Sequence, residues 1–297
     1  MIIPQAQLNK QLWDQCVLKN KPEGFFFMLS WYLDVVAPNW AGYVIGDYEA
    51  IYPVIPQKKL VFQYSIMPFL TRTFYPIGFN TEQLMELSRY VNRRFLYFQL
   101  SGFQLKNFSR SSKRQFQILD LSGYTLNKCS ENHKRQFKKA SKQGFIIKEK
   151  ANPDVLIQLF RKVKGEEFKH LKEGHYLKLQ RLMEEASQRG FLRQFSLFKD
   201  EVLIGAAAYL VIDDIALYLK GAIEPAFKKE GAMVFLHLSS IESLGENCKQ
   251  LDFGGSNAQG LGDFNRKFGA ANHHYLHFTQ NNLPWPISWF FKSKFGR

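Results

Sequence analysis

"LDFGGSNAQGLGDFNRKFGA", residues 251–270, sets a short apolar triplet before a glycine-rich run, and follows it with an aromatic, basic segment. The triplet reads as a strand, over 250–253, short enough to be wholly buried. Gly254, Gly255, Ser256 and Asn257 suit backbone conformations that bulkier residues resist. Ligands of α/β sheets bind beyond the carboxyl ends of the strands. These four residues therefore let a substrate approach the backbone, with Asp252 near the same end. Residues 258–267 read as a helix on which Phe264 and Phe268 share a face. Lys267 falls three residues after Phe264, while Asn265 and Arg266 point elsewhere. The same residues also suit a tight turn and a core-packed amphipathic turn.

Just upstream, "KGAIEPAFKKEGAMVFLHL" (220–238) passes from a strand through a turn into an apolar helix expected over 229–245. Free backbone N–H groups at a helix start bind phosphate. Lys228 and Lys229 add charge there, and Gly231 and Ala232 allow close approach. An ordinary surface turn with solvated lysines fits the same letters. Tyr218 and Lys220, two apart on the strand 215–223, are expected on one face. Glu224, Asp252 and Asp263 are the carboxylates that could take a proton from an attacking amine.

The remaining 297-residue chain fits this α/β reading. Helices are expected over 8–20, 25–36, 81–93, 127–144, 153–168 and 175–189. Strands are expected over 60–67, 73–77, 95–100, 115–121, 145–149 and 274–279, with hairpins at 43–56 and 191–211. Ser130 is a candidate N-cap and Gly144 a candidate residue just past the helix end. The halves rhyme, each with opening helices, a hairpin, then strand, helix and strand. That predicts two α/β domains, over 1–122 and 123–297, of ordinary size. Net charge is +14, and residues 127–200 hold 18 Lys/Arg against 9 Asp/Glu. Such a field attracts the phosphates of nucleotides, nucleic acid or a membrane surface. No apolar run approaches the roughly 18 residues of a membrane span. No secretory signal is expected, and three scattered cysteines read as free thiols in a cytoplasmic protein.

The stretch 251–270 resembles the C-terminal signature of FemAB-like acyltransferases, within the GNAT superfamily and including the BioF2-like acetyltransferases. Leu251 to Gly255, Gly260-Leu261, Phe264 and Phe268-Gly269 carry the likeness. "SENHKRQFKKASKQG" resembles the helix that opens the family's second domain, and "YLKGAIEPAFKKEGAMVFLHLSSIE" the strand, turn and helix before the signature. The resemblance implies two tandem GNAT-like domains, each a mixed central sheet flanked by helices. It implies transfer of an acyl group onto an amine, with no covalent intermediate. The donor would be acyl-CoA such as acetyl-CoA, or aminoacyl-tRNA, held by the second domain. The acceptor would be an amine on a small molecule or a cell-wall (peptidoglycan) precursor. Where the family has lysine after the aromatic residue, this chain has Asn265. The cation for a developing oxyanion then falls to Lys267, or to Asn265 as a neutral donor. A catalytically degenerate member that binds an anionic ligand or RNA is the alternative. Segment 168–181, with His170 and Tyr176, resembles the acceptor-contacting region, and also suits a solvated helix.

"HHYLHF" (273–278) is not a metal site if it is a strand. His273 and His277 would stand about 13 Å apart at about 3.3 Å per residue, too far for one zinc. The tail 283–297 mixes Trp and Phe with Lys, which suits either peripheral membrane contact or packing back on the core.

Overall fold

A computed structural model describes residues 1–59, 61–103, 110–165, 171–255 and 260–285; His170, Ser256, Asn257 and the tail from 286 lie outside them. The chain divides into two compact units. One is Met1–Arg114 with Tyr275–Arg297, the other Gln115–His274.

In the first unit, β1 (Ile2–Pro4) precedes α1 (Lys10–Asn20), which buries Trp13 and Val17. The apolar run expected as one helix over 25–36 is broken. A 3-10 turn spans Phe25–Met28, Leu29 is extended, and α2 covers Ser30–Val36. Asp14 of α1 causes the break. Its two carboxylate oxygens accept from the Ser30 backbone N–H at 2.6 Å and the Ser30 hydroxyl at 2.7 Å. A restart of the helix at Ser30 is thus capped from a neighbouring element. The expected hairpin forms as β2 (Ala41–Ile45) and β3 (Ala50–Val54), which build an antiparallel sheet with β1. A second sheet takes β4 (Gln57–Lys59), β5 (Phe62–Ser65), β6 (Tyr97–Gly102) and the end of the final strand, Ala271–Asn281. β5 and β6 are parallel, joined through α3 (Thr81–Arg94), which starts with an Asn80–Gln83 capping box. Residues 73–77 are not the expected strand. They make isolated bridges at Phe74 and Ile77, and Pro76 cannot donate to a ladder.

The second unit has one mixed sheet. β7 (Arg110–Asp120) enters it, and α4 (Glu131–Ala140) follows, capped by the Ser130 hydroxyl on the His133 N–H. Then come β8 (Ile146–Glu149), α5 (Pro153–Lys164), α6 (Glu173–Gln188), β9 (Leu192–Lys199), β10 (Val202–Ile212), β11 (Ile215–Ile223), α7 (Ala232–Gly245), β12 (Gln250–Gly255) and α8 (Leu261–Arg266). The strand order is β7-β12-β11-β10-β9-β8. Only β11 and β12 are parallel within it, and α7 is their crossover. α7 packs on one face with α4 against it; α5 and α6 cover the other. β10 is therefore buried along nearly its whole length, as a strand covered on both faces must be. α7 begins at Ala232, later than expected, because 225–230 forms a 3-10 turn and Gly231 is left-handed.

Candidate functional site

The site grows from two irregular strands. β11 and β12 pair only over Ile215–Leu217 against Gln250–Asp252, although both strands run on. In β11, Ala208 of β10 lies opposite Lys220 and Tyr209 opposite Tyr218, so Leu219 is an extra, bulged residue. β12 has its own register shift against β7 between Asp252 and Gly255. Gly254 sits there at φ +73°, and the Asp252 carboxylate accepts its N–H at 2.8 Å. Asp252, buried, holds the bend of its own strand. Gly254 also passes the Tyr218 carbonyl, 3.3 Å from where a Cβ would stand. Gly255, next to it, is exposed.

The bulge at Leu219 overturns the expectation that Tyr218 and Lys220 share a face. Tyr218 packs its ring on His237 of α7, with centroids 5.1 Å apart. Lys220 sets its ammonium 4.8 Å over the Phe160 ring of α5, on the opposite side of the sheet. An inserted residue reverses the alternation that otherwise puts i and i+2 together.

On the α7 side lies a cluster of rings from six elements: His133 (α4), Tyr209 (β10), Tyr218 (β11), His237 (α7), Phe253 (β12), and Phe264 with Phe268 in and after α8. The expected common face of Phe264 and Phe268 is present, as an edge contact at 5.2 Å. His133 packs on both, at 5.0 and 4.4 Å. His237 meets Phe253, Phe264 and Phe268 within 6.0 Å and hydrogen-bonds the Tyr209 hydroxyl through Nδ1 at 3.0 Å. Tyr218 and Phe264 are partly exposed, while both histidines are buried. Burial holds His133 neutral, down to about 4, with the Lys267 charge pushing the same way and the Phe264 carbonyl opposing. Burial, then His133 itself, lowers His237 to about 3. Burial raises the Tyr218 phenol.

Sequence reading missed both histidines. A signal existed for each. His237 interrupts the otherwise apolar first half of α7, and His133 shares the Phe137 and Ala140 face of a basic helix.

The other anticipated residues fall around this cluster. Lys228 and Lys229 are exposed on the turn leading into α7. Gly231 and Ala232 are buried; a Cβ on Gly231 would meet the Gln136 carbonyl of α4 at 2.6 Å. Lys139 of α4 donates to the Lys229 carbonyl at 2.8 Å. Asn265 is buried and donates to Gln117 at 3.1 Å, which donates in turn to Asn272 at 2.6 Å. Lys267 is exposed, and its carbonyl accepts the Ser130 N–H at the start of α4. Glu224 pairs with Lys162 of α5 at 2.6 Å. Tyr176, buried on α6, lies under the Arg161 guanidinium at 4.6 Å. Asp263 pairs with Arg266. Ser256, Asn257 and His170 are outside the described residues. Segment 273–278 is strand, and no group of three His, Cys, Asp or Glu suited to a metal occurs among the described residues. Among them, too, no helix is long and apolar enough to cross a membrane.

Residues 127–265 match the family model described as acetyltransferase (GNAT) domain. No curated protein sequence matches the chain significantly. Among solved structures, FemX aligns over 98% of this chain and 99% of its own, with a TM-score of 0.67 at 14% identity. L-PGS from Bacillus licheniformis covers 97% and 96%, with a TM-score of 0.59 at 12% identity. A tandem GNAT protein from the clavulanic acid biosynthesis pathway covers 96% and 99%, with a TM-score of 0.59 at 9% identity. At such identities the shared property is the fold, here spanning the whole length of each relative. Residues 127–265 are thus a GNAT acetyltransferase domain by sequence, set in a chain whose overall fold is shared with FemX and with a tandem GNAT protein.

Proposed function

We propose that the protein is an N-acyltransferase that moves an acyl or aminoacyl group from acyl-CoA, or from aminoacyl-tRNA, to an amine. The observation that carries this reading is the parting of β11 from β12 beside the start of α7. A gap between parallel strands next to a helix N-terminus and two exposed lysines offers a phosphate-bearing donor both an anchor and an entry. Lys228 and Lys229 would hold the phosphates. Tyr218, Phe264 and the backbone at Gly254 and Gly255 would line the acyl end. Lys267 would face the reacting carbonyl. Direct attack needs a neutral amine and a proton acceptor; Glu224, already an ion-pair partner, is better placed for this than Asp252, whose carboxylate bonds Gly254. Lys220 and Tyr176 would meet the acceptor on the α5 side, and His170, outside the described residues, stays a candidate by resemblance alone. The resemblance to FemAB-like enzymes supports a cell-envelope amine as acceptor and a cytoplasmic location.

One observation favours a second reading, a binder without catalysis. Asn265 is buried in an amide chain and offers no cation to a substrate. The two readings separate in a thermal-shift experiment with CoA, acetyl-CoA and tRNA at two salt concentrations. A ligand at about 100 times its Kd adds roughly 2.7 kcal/mol to the folded state. CoA stabilisation that a Lys228→Ala/Lys229→Ala variant loses, together with slow acetyl-CoA hydrolysis, supports the transferase. Response to tRNA alone, without turnover, supports the binder. No response to any of the three overturns both donor assignments.

A further inference from the structure

Resting on the donor reading above, we infer that His133 is a substrate-contacting residue, its ring N–H donating to the carbonyl oxygen of the group being transferred. His133 is 1% exposed, and neither ring nitrogen reaches hydrogen-bond geometry with a partner among the described residues, although the Phe264 carbonyl is near enough to favour a ring proton. Buried polar atoms are nearly always paired, and one that is not calls for a specific explanation. Packing alone does not supply one. The ring is held between Phe264 and Phe268, where a phenylalanine would make the same edge contacts without two idle polar atoms. Its backbone is fixed by the Ser130 cap in the first turn of α4, so the ring is placed by a rigid element.

The surroundings suit a carbonyl. A neutral imidazole has one N–H donor and one acceptor nitrogen. Burial first, and then the neighbouring Lys267 charge, disfavour a charged ring, so the group stays a neutral donor. The outer members of the cluster are the partly exposed Tyr218 and Phe264. Phe264 packs on the His133 ring, so contact with a substrate carbonyl requires that ring to move aside. A neutral buried donor needs no reorganisation when charge develops on the carbonyl oxygen, which is what makes such donors effective.

The test compares CoA with acetyl-CoA, which differ only by the acyl group, on the full chain. Ring 15N resonances of His133 are followed in both titrations. The inference expects acetyl-CoA to move them and CoA to leave them in place. His133→Phe should keep CoA affinity within about twofold, raise the melting temperature by a few degrees by removing unpaired polar atoms, and slow acetyl-CoA hydrolysis by about 10²-fold. Partial recovery by His133→Asn or His133→Gln identifies which nitrogen donates. Binding of both ligands with silent or equally shifted resonances overturns the inference and leaves the donor reading standing. So does a His133→Phe protein that hydrolyses acetyl-CoA at the wild-type rate. A clear loss of stability in that variant shows that the nitrogens serve the fold, and overturns it too. If neither ligand binds the wild type, the acyl-CoA donor reading fails first and this inference falls with it.

Discussion

Gly231 lacks a side chain for two reasons. Its φ of +84° lies in the left-handed region, and the Gln136 carbonyl stands 2.6 Å from where a Cβ would be. The conformation alone costs an L-residue about 1–2 kcal/mol, and the clash with α4 backbone adds to it. Gly231→Ala should therefore lower stability by more than about 1–2 kcal/mol in urea titration. A neutral result would mean that α4 can shift away from the turn. His133 and His237 make a second claim at this scale, about pH. Both are lowered in the fold, to about 4 and about 3, from an ordinary value near 6.5. The unfolded chain thus binds more protons between pH 6.5 and about 4, and stability rises with pH across that window. Their contribution is complete above about pH 6.5 and is lost as pH falls. Melting temperatures at pH 7.5 and 5.0 should differ, and His237→Phe should shrink the difference. An unchanged difference in that variant would place the acid sensitivity elsewhere, for instance at buried His277, which burial also lowers to about 4.

At the scale of elements, the break at Leu29 rests on one carboxylate. Asp14→Ala leaves the Ser30 N–H and hydroxyl without their acceptors, and should cost about 1–2 kcal/mol. Asp14→Asn should recover part of that. Equal stability of Asp14→Ala and wild type in denaturant titration would show that α2 starts without this cap. The same contact explains what could and could not be read from the sequence. Ser130 and the hairpin at Gly46-Asp47 signal locally, through residues adjacent to the structure they dictate, so they were legible. Asp14 acts across 16 residues on an apolar run with no turn letters of its own. The extra residue at Leu219 is defined only by its register against β10, and nothing in "LYLKGA" marks it. The candidate site divides likewise. The turn at residues 228–231 and the Phe264/Phe268 face follow from local spacing, whereas the ring cluster joins His133 to His237 through folding and has no linear motif.

For the whole molecule, charge is the property that reaches furthest. The excess of 18 basic over 9 acidic residues in 127–200 surrounds α4 and the elements after it. A complex with tRNA that neutralises about six phosphates should lose roughly 10³-fold in affinity between 50 and 200 mM salt, and CoA, with few phosphates, far less. Filter binding and fluorescence titration across that range check this; equal salt slopes would mean that tRNA and CoA use the same small anion site. A different consequence follows from the path of the chain. The first unit takes residues 275–297 as well as 1–114, and β6 pairs in register with Leu276–Asn281 of the final strand. During synthesis, β6 must wait for its partner while the entire second unit is made. At roughly 5–20 residues per second, that delay is on the order of ten to thirty seconds. Throughout it one edge of β6 stands open to any passing strand, so the newborn first half is a client for whatever holds nascent chains apart, and a ribosome stalled before residue 275 would leave that half unfinished.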